Sequence, residues 1–140
     1  MKQTQSDIGI IVGRFQVADL HPAHIDLIET VVKAHKRVHI LLGVSPLITT
    51  YKDPLPFEVR RQMIEAKFPD IRCYPIMDIK DDEKWVENVD ALIKTIEVSN
   101  SITLYGGRDS FIYTYVRYKG KFSTVELEPN EYVSRFSGTN

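Results

Sequence analysis

Ile8-Gly9-Ile10-Ile11-Val12-Gly13-Arg14-Phe15-Gln16, followed shortly by His21-Pro22-Ala23-His24, decides how the rest of the chain is read. A short β-branched apolar run bounded by glycine has the composition of a parallel strand buried on both faces. From Pro22 to about Lys36 the period changes: Leu27, Ile28, Val31 and His35 share one helical face, while Asp26, Glu29 and Lys33 point elsewhere. Pro22 suits a first helical turn, where its missing N–H has no helical partner. The turn between the two segments lies at the carboxyl end of a strand, the edge along which open parallel sheets collect ligands.

The alternation continues outward. A second strand is predicted at 37–44, then a loop carrying Pro46, Pro54 and Pro56, a helix at 57–68 and a third strand at 71–77. Trp85, Val89, Leu92, Ile93 and Ile96 form an amphipathic stripe for the next helix. A fourth strand at 101–105 ends in Gly106-Gly107, followed by a brief helix or turn around 109–115 and an extended piece near 122–128. Strands alternating with helices imply an α/β fold: one Rossmann-like domain over residues 1–140, its parallel sheet covered by helices on both faces.

Composition narrows the partners. Eighteen Lys plus Arg against 19 Asp plus Glu give a formal charge of -1 over 140 residues, so bulk electrostatics do not point to nucleic acid and an anion site must be local. The single cysteine, Cys73, rules out an internal disulfide and a cysteine-rich zinc site. With no apolar run of about 18 residues, and a polar start at Met1 to Asp7, no membrane segment or signal peptide is expected. The expectation is a soluble cytoplasmic protein, with a homo-oligomer an ordinary outcome for a small enzyme.

The motifs suit phosphate. Gly13 permits a tight turn that brings backbone amides close to an anion, and Arg14 supplies a forked donor; the alternative is a plain turn with a surface arginine. His21 and His24, three apart at a helix start, present both rings in one direction and donate hydrogen bonds to phosphate oxygens as charge develops. Capping and packing compete with that role. Zinc is disfavoured, since the spacing is not His-Glu-x-x-His, and no protein metal site is assigned. Gly106, Gly107, Arg108, Asp109 and Ser110 repeat the theme at another strand end, with Asp109 either capping or orienting a ligand. Lys52 can reach an anionic substrate when its loop closes, with Arg60 or Arg61 helping from the next helix; the alternative is a solvated basic rim with Phe57 packed inside. Trp85 either stacks on a heterocycle or packs in the core. Ser137 and Thr139 form a third candidate anion turn or a frayed end.

These segments resemble the nucleotidyltransferase α/β phosphodiesterase superfamily with its paired-histidine motif, in particular adenylyltransferase-like domains that carry Gly-Arg-Phe-Gln and are related to nicotinamide mononucleotide adenylyltransferases. The resemblance runs from Gly13–Gln16 and His21–His24 through the 52–61 region and Gly106–Ser110 to Ser137–Thr139. It implies ATP as substrate, magnesium with the triphosphate, a phosphorylated small-molecule acceptor, and for the nicotinamide branch NAD and pyrophosphate as products. It also implies His21, His24 and Arg14 at the reacting centre. Gly13, Arg14, Phe15, His21, His24, Gly106, Arg108, Asp109, Ser137 and Thr139 are implied around the nucleotide, and Lys52, Trp85 and Arg60 around the acceptor. Cytidylyl transfer, another acceptor, or a nucleotide-binding regulatory protein that has lost transfer are the alternatives. Two departures stand out. Ala23 occupies a position usually held by glycine, and the Ser-x-Thr pattern reaches Asn140 without the downstream basic residue.

Overall fold

The computed structural model describes residues 6–17, 19–45, 55–107 and 110–127. Lys52, Arg108, Asp109, Ser137 and Thr139 therefore lie outside the described residues. In chain order the elements are β1 (Ile8–Gly13), α1 (Pro22–Ala34), β2 (Arg37–Val44), α2 (Phe57–Lys67), β3 (Arg72–Met77), α3 (Asp82–Ile96), β4 (Ile102–Gly106), α4 (Ile112–Arg117) and β5 (Ser123–Glu126).

Among the described residues these strands form one parallel sheet in the order β3-β2-β1-β4-β5. Two crossovers carry the chain from β1 to β2 to β3 with α1 and α2 on one face, the arrangement that the right-handed rule for parallel strands favours. The chain then returns past β1 to lay down β4, and the same handedness puts α3 and α4 on the other face.

Side-chain alternation records this. Ile8, Ile10, Val12, Leu41, Ile102 and Leu104 pack with Val86, Val89 and Ile93 of α3 and with Tyr115 of α4. Ile11, Val38, Ile40, Leu42 and Tyr105 pack with Ile28 and Val31 of α1 and with Ile64 of α2. β1 is thus apolar along its length because both faces are covered. Pro75 is accommodated because β3 has a neighbour on one side only, among the described residues.

Helix ends follow local chemistry. Asp81 caps α3 by accepting from the Lys84 amide at 3.1 Å, with Asp82 and Glu83 in the first turn and Lys94 in the last. The helix therefore begins before the apolar stripe that announced it. α1 stops at Ala34 rather than near Lys36, because His35 leaves helical geometry at the C-cap. Its Nδ1 donates to the Ser6 carbonyl at 2.8 Å, which leaves Nε2 to accept from the Tyr105 hydroxyl at 2.5 Å. No described helix is long and apolar enough to cross a membrane.

At the amino edge of the sheet, Glu97 accepts two hydrogen bonds from Arg37 (2.9 and 2.7 Å) and one from His39 (2.7 Å), with its side chain 7% exposed. Hydrogen bonding from Arg37, then from His39, outweighs burial and holds the carboxyl down to about 2. A depressed carboxyl pKa contributes stability above its ordinary value near 4.5 and loses it as pH falls toward 2. Glu97→Gln is expected to flatten that acid limb while costing about 2 kcal/mol at neutral pH, less than a fully buried pair because Arg37 is half exposed. Thermal midpoints of both proteins between about pH 6 and pH 2.5 check this.

Candidate active site

β1 and β4 are neighbours whose chain connections leave in opposite directions, so a crevice opens at their carboxyl ends. Gly13, Arg14, Gly43, Asp78, Trp85 and Phe111 line a cavity of about 360 Å³ there. Across β4 a second recess of about 580 Å³ is lined by Gly107, Ser110, Tyr113, Arg117 and Glu126. Gly106 packs tightly between them: a Cβ on it would lie 2.5 Å from Ser110 Oγ and 2.7 Å from the Phe111 ring, so a larger residue would close this edge.

The turn after β1 is held in an uncommon shape. Phe15 has φ 52, in the left-handed region that costs a non-glycine residue roughly 1–3 kcal/mol. Its ring packs into the core beside α1 and meets His24 edge-on at 5.5 Å, which offsets that strain. Gln16 clasps Leu55 through both amide atoms, donating to its carbonyl at 3.2 Å and accepting from its N–H at 3.0 Å. Arg14 reaches Asp78 in an ion pair, the two side chains 43% and 34% exposed.

His21 is the N-cap of α1 and His24 the third helical residue, their rings 5.1 Å apart. The His21 amide donates to His24 Nδ1 at 3.2 Å. The reciprocal arm of the capping box is approached but not closed: His21 Nδ1 is buried and has no hydrogen-bond partner among the described residues. Capping and ligand chemistry therefore coexist, because an Nδ1 that accepts leaves the ring proton on Nε2. Burial, then repulsion from His21, lowers the His24 pKa below 6.5. The ring is neutral at physiological pH and presents a fixed Nε2–H donor. Ala23, at the position usually held by glycine, is buried.

The other expected contacts are distributed unevenly. Trp85 packs against the core and also lines the cavity. Arg60 departs from its expected place on the acceptor: it is 2% exposed, and its guanidinium donates to the carbonyls of Leu55, Arg14 and Gly43. Arg61 pairs along its own helix with Glu58 and Glu65. Asp78 was not singled out from sequence, although it follows β3 at the same carboxyl edge that drew attention to Gly13 and Gly106. Gln16 was noted within its motif without a role. Cys73 is buried, and burial followed by the nearby Glu65 pushes its thiol up to about 12, which leaves it inert as a nucleophile.

No family model matches the chain. It is, however, 33% identical over 129 residues to the nicotinamide/nicotinic acid mononucleotide adenylyltransferase of Acinetobacter baylyi, covering 87% of this chain and 67% of that protein. The chain belongs to the nicotinamide mononucleotide adenylyltransferase family of nucleotidyltransferases. A bifunctional NMN adenylyltransferase/ADP ribose pyrophosphatase from Francisella tularensis superposes with a TM-score of 0.75 at 26% identity, over 87% of this chain and 38% of that one. The same bifunctional protein complexed with AMP and a manganese ion gives 0.74 at 24% identity over 90% of this chain and 38% of that one, a likeness of fold. The chain thus spans well under half the length of these solved members. Among the described residues of this family member, no group of three or more His, Cys, Asp or Glu side chains is placed to hold a metal.

Proposed function

We propose that the protein transfers AMP from ATP to nicotinamide mononucleotide, or to its nicotinic acid counterpart, releasing pyrophosphate. In that step a phosphate oxygen of the acceptor forms a bond to the α-phosphorus as the bond from that phosphorus to the bridging oxygen of pyrophosphate breaks. The acceptor phosphate is already an anion, so no protein base is required. Catalysis then rests on alignment and on donors aimed at developing charge.

One observation carries the reading: the His21 amide fixes the His24 tautomer so that a neutral Nε2–H donor stands at the start of α1, the helix that follows the Arg14 turn. The helix N-terminus adds its own attraction for anions. The partly exposed pair of Arg14 with Asp78 is worth only about 0–1 kcal/mol, and a charge-assisted bond to phosphate exceeds it. The cavity beside Trp85 and Asp78 is of a size to take a mononucleotide, and the recess beyond Gly107 lies next to the glycine segment assigned to the donor. Because the described donors are cationic or neutral rather than a carboxylate cage, a divalent ion, magnesium in this reading, arrives with the triphosphate as part of the substrate. Lys52, Arg108, Asp109, Ser137 and Thr139 remain proposed contacts.

The test is a matrix of ATP and CTP against nicotinamide mononucleotide, nicotinic acid mononucleotide and other phosphorylated acceptors, with magnesium, read by pyrophosphate release and product mass. NAD, or its nicotinic acid analogue, from ATP is the expected product. Nucleotide binding with no acceptor-dependent pyrophosphate release in any pair would overturn the proposal.

A further inference from the structure

Arg60 is the most deeply buried cation among the described residues, and it sits beneath the phosphate turn rather than inside a ligand cavity. Its Nη1 donates to the carbonyls of Arg14 and Gly43, both at 2.9 Å, and its Nε to that of Leu55 at 3.1 Å. The Leu55 carbonyl also receives the Gln16 amide. One guanidinium therefore joins the turn after β1, the end of β2 and the entry to α2.

The geometry has a direct consequence for the turn. The peptide between Arg14 and Phe15 is trans, so the Phe15 N–H points away from the carbonyl that Arg60 holds. A cation bound to that carbonyl also polarises the peptide and strengthens its N–H as a donor. On the neighbouring strand, Gly43 lets the Arg14 side chain lie close: a Cβ there would sit 3.2 Å from Arg14 Cζ. By holding the Gly43 and Arg14 carbonyls with a single nitrogen, Arg60 sets the separation across which the Arg14 side chain is laid.

Resting on the transfer reading above, we infer that Arg60 is a positioning residue: it fixes the Arg14–Phe15 peptide from below, so that the Phe15 N–H and the Arg14 guanidinium meet the phosphates of the nucleotide together. It does not touch substrate. Its buried charge stabilises the bound triphosphate through the peptide it polarises.

Arg60→Lys tests this, since an ammonium keeps the charge but cannot reproduce a planar fork spanning three carbonyls. ATP affinity by calorimetry is expected to fall about tenfold, with the KM for the acceptor within about twofold of wild type. Arg14→Ala should then cost several-fold less in the Arg60→Lys background than in wild type, because both changes act on one unit. Unchanged ATP affinity, or additive effects within about twofold, would overturn the inference. If Arg60→Lys does not fold, Gly43→Ala displaces the Arg14 guanidinium without altering Arg60 and should show the same selective loss of ATP affinity; wild-type affinity there counts against it. The outcomes separate cleanly. A wild-type chain without turnover defeats the transfer reading, whereas the ATP-affinity and coupling measurements decide Arg60 whether or not transfer occurs.

Discussion

His24→Ala is expected to lower kcat about 100- to 1000-fold, the usual cost of removing one preorganised donor from a developing charge. The fold should survive. The lost bond from the His21 amide is a cap interaction worth about 1 kcal/mol, and the ring is only half buried. The pH profile gives the sharper test. A site that needed imidazolium would lose activity as pH rose through about 6.5. Here Nδ1 is occupied as an acceptor, and burial with His21 lowers the pKa, so the neutral ring is the form expected to act. Activity should be level through neutral pH and fall only below the ordinary imidazole range, where protonation breaks the backbone bond.

Stability follows the same linkage. The unfolded histidine takes up its proton first, so His24 destabilises the fold as pH drops through 6.5, and the effect is complete below the folded pKa. His24→Asn, which offers an acceptor and a donor on a shorter side chain, should fall between wild type and alanine. Equal kcat for His24→Ala would remove the histidine from the mechanism.

Much of this site was legible because its parts are neighbours in sequence. Gly13, Arg14, His21 and His24 lie within one strand-turn-helix, and the change from a continuous apolar run to a helical period locates that junction without tertiary information. β2 was bounded correctly at Arg37 and Val44 for a similar reason: its apolar run is continuous and its flanks are polar or proline-bearing. Arg60 was readable as a cation but not as a buried one. Its environment is made of carbonyls from Leu55, Arg14 and Gly43, atoms that every residue carries and no sequence pattern marks. Asp78 likewise acquires meaning only once β3 lies beside β2 and brings it to Arg14. His35 fits a helical face by spacing, yet the backbone departs there because Ser6 and Tyr105, far away in the chain, claim both ring nitrogens. Local periodicity therefore located the strand-turn-helix junction of the candidate site, while the groups that brace it came from non-local packing.

The largest effect on stability is expected at Tyr115, behind the cavity wall. Its side chain is 1% exposed, and its hydroxyl donates to Asp90 at 2.5 Å while accepting from the Phe122 amide at 3.0 Å. Asp90 in turn accepts from the Lys121 amide at 3.0 Å, so one ring and one carboxylate tie α4 to α3 and to the entry of β5. Burial, reinforced by Asp90, raises the phenol pKa, and the hydroxyl stays a donor at all physiological pH. Tyr115→Ala should cost about 3–5 kcal/mol, the range for deleting a buried aromatic ring. For a chain of this size that is a fall of roughly 10–15 °C in Tm. Tyr115→Phe keeps the ring and should cost only about 1–2 kcal/mol, because Asp90 is partly exposed and water replaces the hydroxyl. The alanine variant should also loosen the cavity, since Tyr115 meets Phe111 edge-on at 5.9 Å and Phe111 lies 6.2 Å from Trp85. Assayed below its lowered midpoint, it should show a raised KM for the acceptor with ATP affinity little changed. Equal Tm losses in the two variants would place the energy in the hydroxyl network rather than in the packed ring, and an unaltered acceptor KM would separate this aromatic stack from the site.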